Sequence, residues 1–123
     1  MALTSSIVNM YITDNATWQD ALQFGTPGDT TWSFTGMKFI VDIKASRNDV
    51  TPLLTVSSDL GSIVVDDPVN RILHFNVPDS VIQASLPCAV YDYDLIMFDT
   101  SDPPIRTQLM MGQLIVRKGV TEE

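Results

Sequence analysis

Apolar and polar residues alternate with period two along most of the chain, and sustained helical periodicity is nearly absent. Met37, Phe39, Val41 and Ile43 interleave with Lys38, Ile40, Asp42 and Lys44. One set is wholly apolar and the other mostly polar, as in a strand with one face on a core. Leu73, Phe75 and Val77 alternate with His74 and Asn76 in the same way. The longest stretch, Ala89 to Phe98, sets Tyr91, Tyr93, Leu95 and Met97 against Asp92 and Asp94. A fourth runs from Ile105 to Val116 through Thr107, Leu109, Met111, Gln113 and Ile115. Gly112 within it marks a bulge or a close backbone approach. Shorter strands are expected at Val8 to Thr13, Thr17 to Phe24, Thr31 to Phe34, Leu53 to Val56 and Ile63 to Val65.

Turn chemistry separates these strands. Gly25-Thr26-Pro27-Gly28-Asp29, Ser46-Arg47-Asn48-Asp49, Ser57-Ser58-Asp59-Leu60-Gly61 and Asp66-Asp67-Pro68 are breakers, and the segment from Asp99 to Pro104 reads as a hairpin loop. One segment departs from the β pattern. Ser80-Val81-Ile82-Gln83 has the Ser-x-x-Gln spacing of a capping box and should open a helical turn that ends before Pro87. A short turn followed by a Tyr-bearing strand predicts a tyrosine corner, with Tyr91 or Tyr93 bonding back to the turn. These patterns predict an all-β chain, an immunoglobulin-like antiparallel β-sandwich of seven to nine strands. Its expected core includes Met37, Phe39, Val41, Ile43, Leu73, Phe75, Tyr93 and Leu95. Residues 1–123 make a single domain, with an N-terminal segment over 1–16 and a frayed tail over 119–123.

Composition narrows the function classes. The 123 residues carry fifteen acids against seven Lys and Arg, a formal net charge of −8. Such a surface repels phosphate backbones and anionic lipid heads, so neither nucleic acid nor membrane is expected as a partner. Cys88 stands alone, so no intrachain disulfide can form and packing must hold the fold. The first six residues lack the basic and apolar regions of a signal peptide, and no apolar run approaches the roughly 20 residues of a membrane span. The chain is expected to fold in a cytosol-like compartment.

Groups able to support chemistry are few. The single histidine, His74, lies on the polar side of its strand without a nucleophile signature, and it is expected to be a solvated or hydrogen-bonded side chain. Cys88 has no cysteine or second histidine to build a zinc site and reads as a small buried hydrophobe. Asp92 and Asp94 share a strand face with Cα atoms about 7 Å apart. Paired carboxylates can bind calcium or cleave glycosides, but acids alternating with Tyr and Leu fit a solvent-facing strand surface better. Asp66, Asp67, Asp99 and Asp102 lie in turns, where Asp bonds its local backbone. Asn15-Ala16-Thr17 is a glycosylation sequon in form only. No catalytic, metal or cofactor residue is assigned, no cofactor is expected, and the partner-binding residues stay unassigned.

Several motifs carry a family resemblance. Thr35-Gly36-Met37 opens an alternating strand, and Tyr91-Asp92-Tyr93-Asp94-Leu95 forms the central one. A hairpin then leads to Met111-Gly112-Gln113-Leu114-Ile115-Val116 and a closing Gly119-Val120-Thr121. From about Trp18 to Thr121 the chain resembles small structural domains of tailed bacteriophages, including the immunoglobulin-like N-terminal domain of upper baseplate proteins. The resemblance implies a non-enzymatic structural or adaptor protein of a phage or prophage virion, made in the bacterial host cytoplasm and located in the tail. It also implies partners among tail, baseplate or fibre proteins, and a homo-oligomer in the particle. The longer relatives continue into a coiled coil and a host-binding region, whereas this chain stops at Glu123, so an attachment role is expected in place of direct host recognition. The alternative is a carbohydrate-binding β-sandwich module using Trp18, Trp32 and the loop acids. The uncharged stretch Ile7 to Thr13 reads as an edge free to pair with a partner, and its removal is expected to leave the sandwich folded.

Overall fold

The structure is a computed structural model and describes residues 6–121. Among these residues nine strands form two packed sheets, with one short helix between strands. In chain order they are β1 (Ser6–Ile7), β2 (Met10–Thr13), β3 (Ala21–Gln23), β4 (Lys38–Lys44) and β5 (Leu54–Ser57). Then come β6 (Ile63–Asp67), β7 (Ile72–Phe75), α1 (Asp79–Ser85), β8 (Val90–Phe98) and β9 (Arg106–Arg117). The large sheet runs β1-β9-β8-β4-β5, with β2 also on β9, and the small sheet runs β3-β7-β6. The chain is an all-β, immunoglobulin-like sandwich. Antiparallel pairing prevails, except that β1 and β2 both lie parallel to β9.

Alternation places the core where the sequence predicts it. Phe39, Val41 and Ile43 of β4 meet Leu73 and Phe75 of β7, with Tyr93 and Leu95 of β8 beside them, all buried. Met37, just before β4, is only half-buried but packs on this cluster. Ile82 and Leu86 close one end, and Trp18 stacks on Phe75 with ring centroids 4.4 Å apart. Fully burying each such side chain is worth about 1.5–3 kcal/mol, and no disulfide supplements it.

Several expectations change. Thr31 to Phe34 forms no strand, and its Trp32 carbonyl turns toward a buried cation described below. The β8–β9 register slips between Leu95 and Ile96, so the bulge sits at Leu109 and not at Gly112. Leu109 and Met110 are consequently both buried, and the inward set becomes Leu109, Met110, Leu114 and Val116. Helix α1 forms and ends before Pro87, but no capping box forms: Pro78 is the N-cap and no side chain caps it. Gln83 Nε2 instead donates to the Asp14 carbonyl at 2.7 Å. The expected frayed tail is tied down as far as Thr121: Gly119 N–H donates to Asp14 Oδ1 (2.7 Å) and Asn15 Nδ2 donates to the Thr121 carbonyl (2.9 Å). Glu122 and Glu123 lie outside the described residues, as do residues 1–5 of the N-terminal segment.

The N-terminal segment is the largest revision. It forms the edge of the large sheet, as expected, but it is integral to the fold, with Met10 and Ile12 5% and 7% exposed. Removing residues 1–13 would strip both side chains from the core. Core truncations of Met or Ile cost about 2–5 kcal/mol each, and whole domains are stable by only about 5–15 kcal/mol. The truncated chain should therefore lose most or all of its cooperative urea transition. An unchanged midpoint would show that β2 contributes nothing to the fold.

Candidate functional site

The chemistry-bearing residues gather on the outward face of the large sheet. In the β4–β8 register Asp42 stands opposite Asp94 and Lys44 opposite Asp92. Arg47 folds over them from the following turn, and these residues with Tyr93 line a shallow cleft of about 230 Å³. That is below the roughly 300–1,000 Å³ of small-molecule sites. Like charges directly opposed across strands repel, and each carboxylate here is met by its own donor. Thr55 Oγ1 donates to Asp42 (2.8 Å), Gln108 Nε2 to Asp94 (3.2 Å), and the Arg47 backbone N–H to Asp92 (3.1 Å). The Arg47 guanidinium donates to the carbonyls of Tyr93 and Gly112, both at 3.4 Å. Asp92 and Asp94 thus share one strand face, as the sequence predicts, in a surface of locally bonded acids. Among the described residues no three His, Cys, Asp or Glu side chains are grouped so as to hold a metal ion.

A second polar centre was not foreseen. Arg71, at the entrance to β7, is fully buried and has a positive φ of 59°. Its Nε donates to the Phe24 carbonyl (2.8 Å) and its Nη2 to that of Thr26 (2.8 Å). Nη1 serves the carbonyls of Trp32 and Val69, both at 3.0 Å, and that of Asp29. The guanidinium also lies over the Trp32 ring, 5.0 Å from its centroid. Gly25 suits this position, since its φ of 77° is one that side-chain-bearing residues rarely adopt and a Cβ would stand 3.2 Å from Arg71 Nε and from the Trp32 ring. The Asp67 carboxylate accepts the N–H groups of Val69 and Asn70 and so sets the turn that delivers Arg71. The Asn70 side chain, then its backbone N–H, hold the Asp67 carboxyl below its usual range, and Arg71 adds to this.

The two central tyrosines do different work. Tyr91 O–H donates to the Pro87 carbonyl and makes the tyrosine corner. Tyr93 O–H instead reaches the Val8 carbonyl at 2.6 Å, where the N-terminal segment breaks between β1 and β2. That carbonyl crosses directly over Gly112, where a Cβ would lie 2.1 Å from the Val8 oxygen. Gly112 is thus the close approach, one of the two roles its position allowed. Burial pushes the Tyr93 hydroxyl up to about 12, against a smaller lowering by Arg47.

Other candidates resolve individually. His74 Nδ1 donates to Asp66 at 2.8 Å, a hydrogen-bonded side chain as expected. Cys88 is exposed, not buried; its Sγ donates to Asp14 Oδ2 at 3.6 Å. Partial desolvation of the sulfur, then the Asp14 carboxylate, raise the thiol, which keeps it protonated and a poor nucleophile. Asp99 accepts from the N–H groups of Ser101 and Ile105, the local role expected of a turn acid. Trp18 is 2% exposed and Trp32 is half-buried against Arg71. Trp18 thus offers no open face, and Arg71 covers the Trp32 ring on one side. No protein-family model matches the chain, and no curated protein matches it in sequence. Among the described residues no helix is long and apolar enough to cross a membrane.

Two outcomes follow. Arg71→Lys should destabilise by about 3 kcal/mol or more in urea unfolding, since each hydrogen bond from a charged donor is worth about 1.5–3 kcal/mol and an ammonium cannot fill a planar five-donor site. A loss no larger than that of an exposed Arg→Lys change would refute the role. For Tyr93, the folded-state hydroxyl titrates above its unfolded value of 10.0, so its contribution is whole below that pH and is lost as pH rises toward about 12. Tyr93→Phe should flatten the alkaline decline of stability in this window, measured by denaturant titration.

Proposed function

We propose that this chain is a non-enzymatic structural protein that works by assembling with other proteins, as a tail, baseplate or fibre-attachment component of a tailed-phage particle. One observation carries the assembly reading. The outward face of the large sheet, normally the polar side of such a sandwich, carries Ile40, Ile96, Met111 and Ile115 half-buried, with Tyr11 and Val90 more than half exposed. Tyr11, Ile115 and Val90 align in one row across β2, β9 and β8. Two short apolar rows, Tyr11-Ile115-Val90 and Ile40-Ile96, thus flank the band of Asp42, Asp94, Lys44 and Asp92, and exposed apolar residues bordered by polar ones are typical of protein interaction sites. The aspartates between these rows accept hydrogen bonds from Thr55, Gln108 and Arg47.

The virion assignment rests on the motifs that resemble phage tail and baseplate domains, and the sandwich fold is compatible with it. The acidic net charge favours protein partners over nucleic acid or anionic membranes. On this reading the protein is made in the host cytoplasm and ends in the tail. Mass spectrometry of purified particles from a host encoding the gene should find the chain at a fixed ratio to a tail protein. Its absence from particles, with the protein abundant in the lysate, would remove the virion assignment.

A further inference from the structure

The large sheet ends on one side in the N-terminal strand pair, and its hydrogen bonds fix the phase of that edge. β1 and β2 hold one register on β9, with Ser6 beside Met110 and Met10 beside Leu114. Val8 N–H donates to the Met111 carbonyl (2.8 Å) and Asp14 N–H to that of Arg117 (3.0 Å). Backbone groups of successive strand residues point to opposite sides. Val8, Met10, Ile12 and Asp14 therefore turn their N–H groups toward β9, and the backbone groups of Ile7, Asn9, Tyr11 and Thr13 face away from it. Among the described residues no strand meets that outer side.

The other sheet edges are blunted. At β5 the N–H of Ser57 donates to the Ser62 hydroxyl (3.0 Å) and its carbonyl accepts from the Ser62 N–H (3.1 Å), which shortens that edge. β6 runs into Asp66 and Asp67, with a register break between Val65 and Asp67. β3 is three residues long and follows the exposed Asp20. Charge, irregularity and shortness are the devices that keep strand edges from pairing. From Ser6 to Thr13 there is no charge, proline or glycine, and Ile7 and Tyr11 are 79% and 59% exposed.

We infer that two copies of this domain pair antiparallel along this edge, about a two-fold axis at Met10, so that the large sheet runs on from one copy into the other. This rests on the assembly reading above and names the partner as a second copy of the chain. The edge is self-matching. Its outward groups recur at residues 7, 9, 11 and 13, so the axis sets Ile7 against Thr13 of the other copy and Asn9 against its Tyr11, and each outward N–H meets a C=O. Electrostatics select the same contact. Two copies that each carry a net charge of −8 repel over most of their surface. This edge brings no acid opposite another, because Asp14, the first charged residue of the chain, falls opposite Ser6 of the other copy. Such a contact uses one patch twice and closes at two copies.

Sedimentation velocity over a concentration series should show the wild type passing from monomer to dimer and no further. Cysteine pairs read the register, in a Cys88→Ser background. Hydrogen-bonded pairs across antiparallel strands have Cα atoms about 5.5 Å apart, within disulfide reach. A mixture of Ile7→Cys and Thr13→Cys proteins should therefore form a covalent heterodimer on mild oxidation. Neither variant should link to itself, because the axis puts its two copies of the cysteine about 20 Å apart. Residue-resolved hydrogen exchange should show protection of the Asn9, Tyr11 and Thr13 amides rising with concentration, while Met10 and Ile12, already bonded to β9, stay unchanged. Tyr11→Pro deletes an outward donor and no bond to β9, so it should weaken dimerisation about tenfold or more; the crosslinks and the exchange decide the matter if it also disturbs folding. A wild type that is monomeric at every concentration overturns the inference. So does a cysteine variant that links to itself as fast as the mixture links, or a dimer whose outward amides gain no protection. These outcomes are separable from the virion assignment: a monomer found in particles leaves that assignment standing, and a dimer absent from particles removes only the assignment.

Discussion

A guanidinium sealed inside the protein, with only neutral oxygens bonded to it, governs how the two sheets are joined. Leaving a cation in a low-dielectric interior is severely unfavourable unless each of its donors is met. The chain around Arg71 is shaped to meet them. The loop from Phe24 to Trp32 curls so that its carbonyls converge, which is why it cannot extend into a ladder. Phe34, at the end of that loop, packs 4.6 Å from Phe39 in the centre of β4. The loop that satisfies the cation thus also delivers an aromatic ring from the small-sheet side to the large sheet. In a chain with one cysteine, this polar centre supplies part of the fixity that a covalent bridge would otherwise give.

The same economy is seen in the large sheet. Strand β8 presents Tyr91, Tyr93, Leu95 and Met97 inward and Asp92, Asp94, Ile96 and Phe98 outward, so one strand serves the core and the surface at once. The extra residue at Leu109 re-phases β9, so that Met111 and Ile115 face outward while Met110 and Leu114 face inward. Without the bulge one half of β9 would have its faces reversed. The outward apolar rows therefore depend on a local backbone irregularity as well as on composition.

Much of this was legible from residue order, and the exceptions have physical causes. Strands β4, β7, β8 and β9 are long or strongly alternating, and the period of the pleat identifies them directly. A tyrosine corner was legible because a tyrosine just after a proline-bounded turn has a carbonyl within reach, and the structure chooses Tyr91 over Tyr93. Arg71 was not, since a cation after Asp67-Pro68-Val69-Asn70 looks like an ordinary solvated turn residue. The available signal was its isolation as the lone Lys or Arg between Asn48 and Ile105. The Ser80 capping box failed because the helix begins at Asp79 with Pro78 as its N-cap, which puts Ser80 inside the first turn and not at the cap position. Cys88 was misplaced because composition alone favours burying a cysteine, while its position after Pro87 leaves it outside β8. The parallel pairing of β1 and β2 on β9 joins opposite ends of the sequence, and no local pattern reports it. The surface rows were readable only as alternating residues within single strands, because their alignment across strands requires the register.

That parallel pairing has a kinetic consequence. Met10 is matched with Leu114 and Thr13 with Arg117, so the contact spans almost the whole described chain. Loops this long close late, and non-local pairings slow the folding of β proteins. On a ribosome adding roughly 5–20 residues per second, β2 would wait on the order of 5–20 s before its partner strand existed. Throughout that interval Met10 and Ile12 would have no sheet to enter, and the Val8 carbonyl could not yet cross Gly112. The first strand made is the last to be placed, and the nascent domain is open along that edge until β9 is complete.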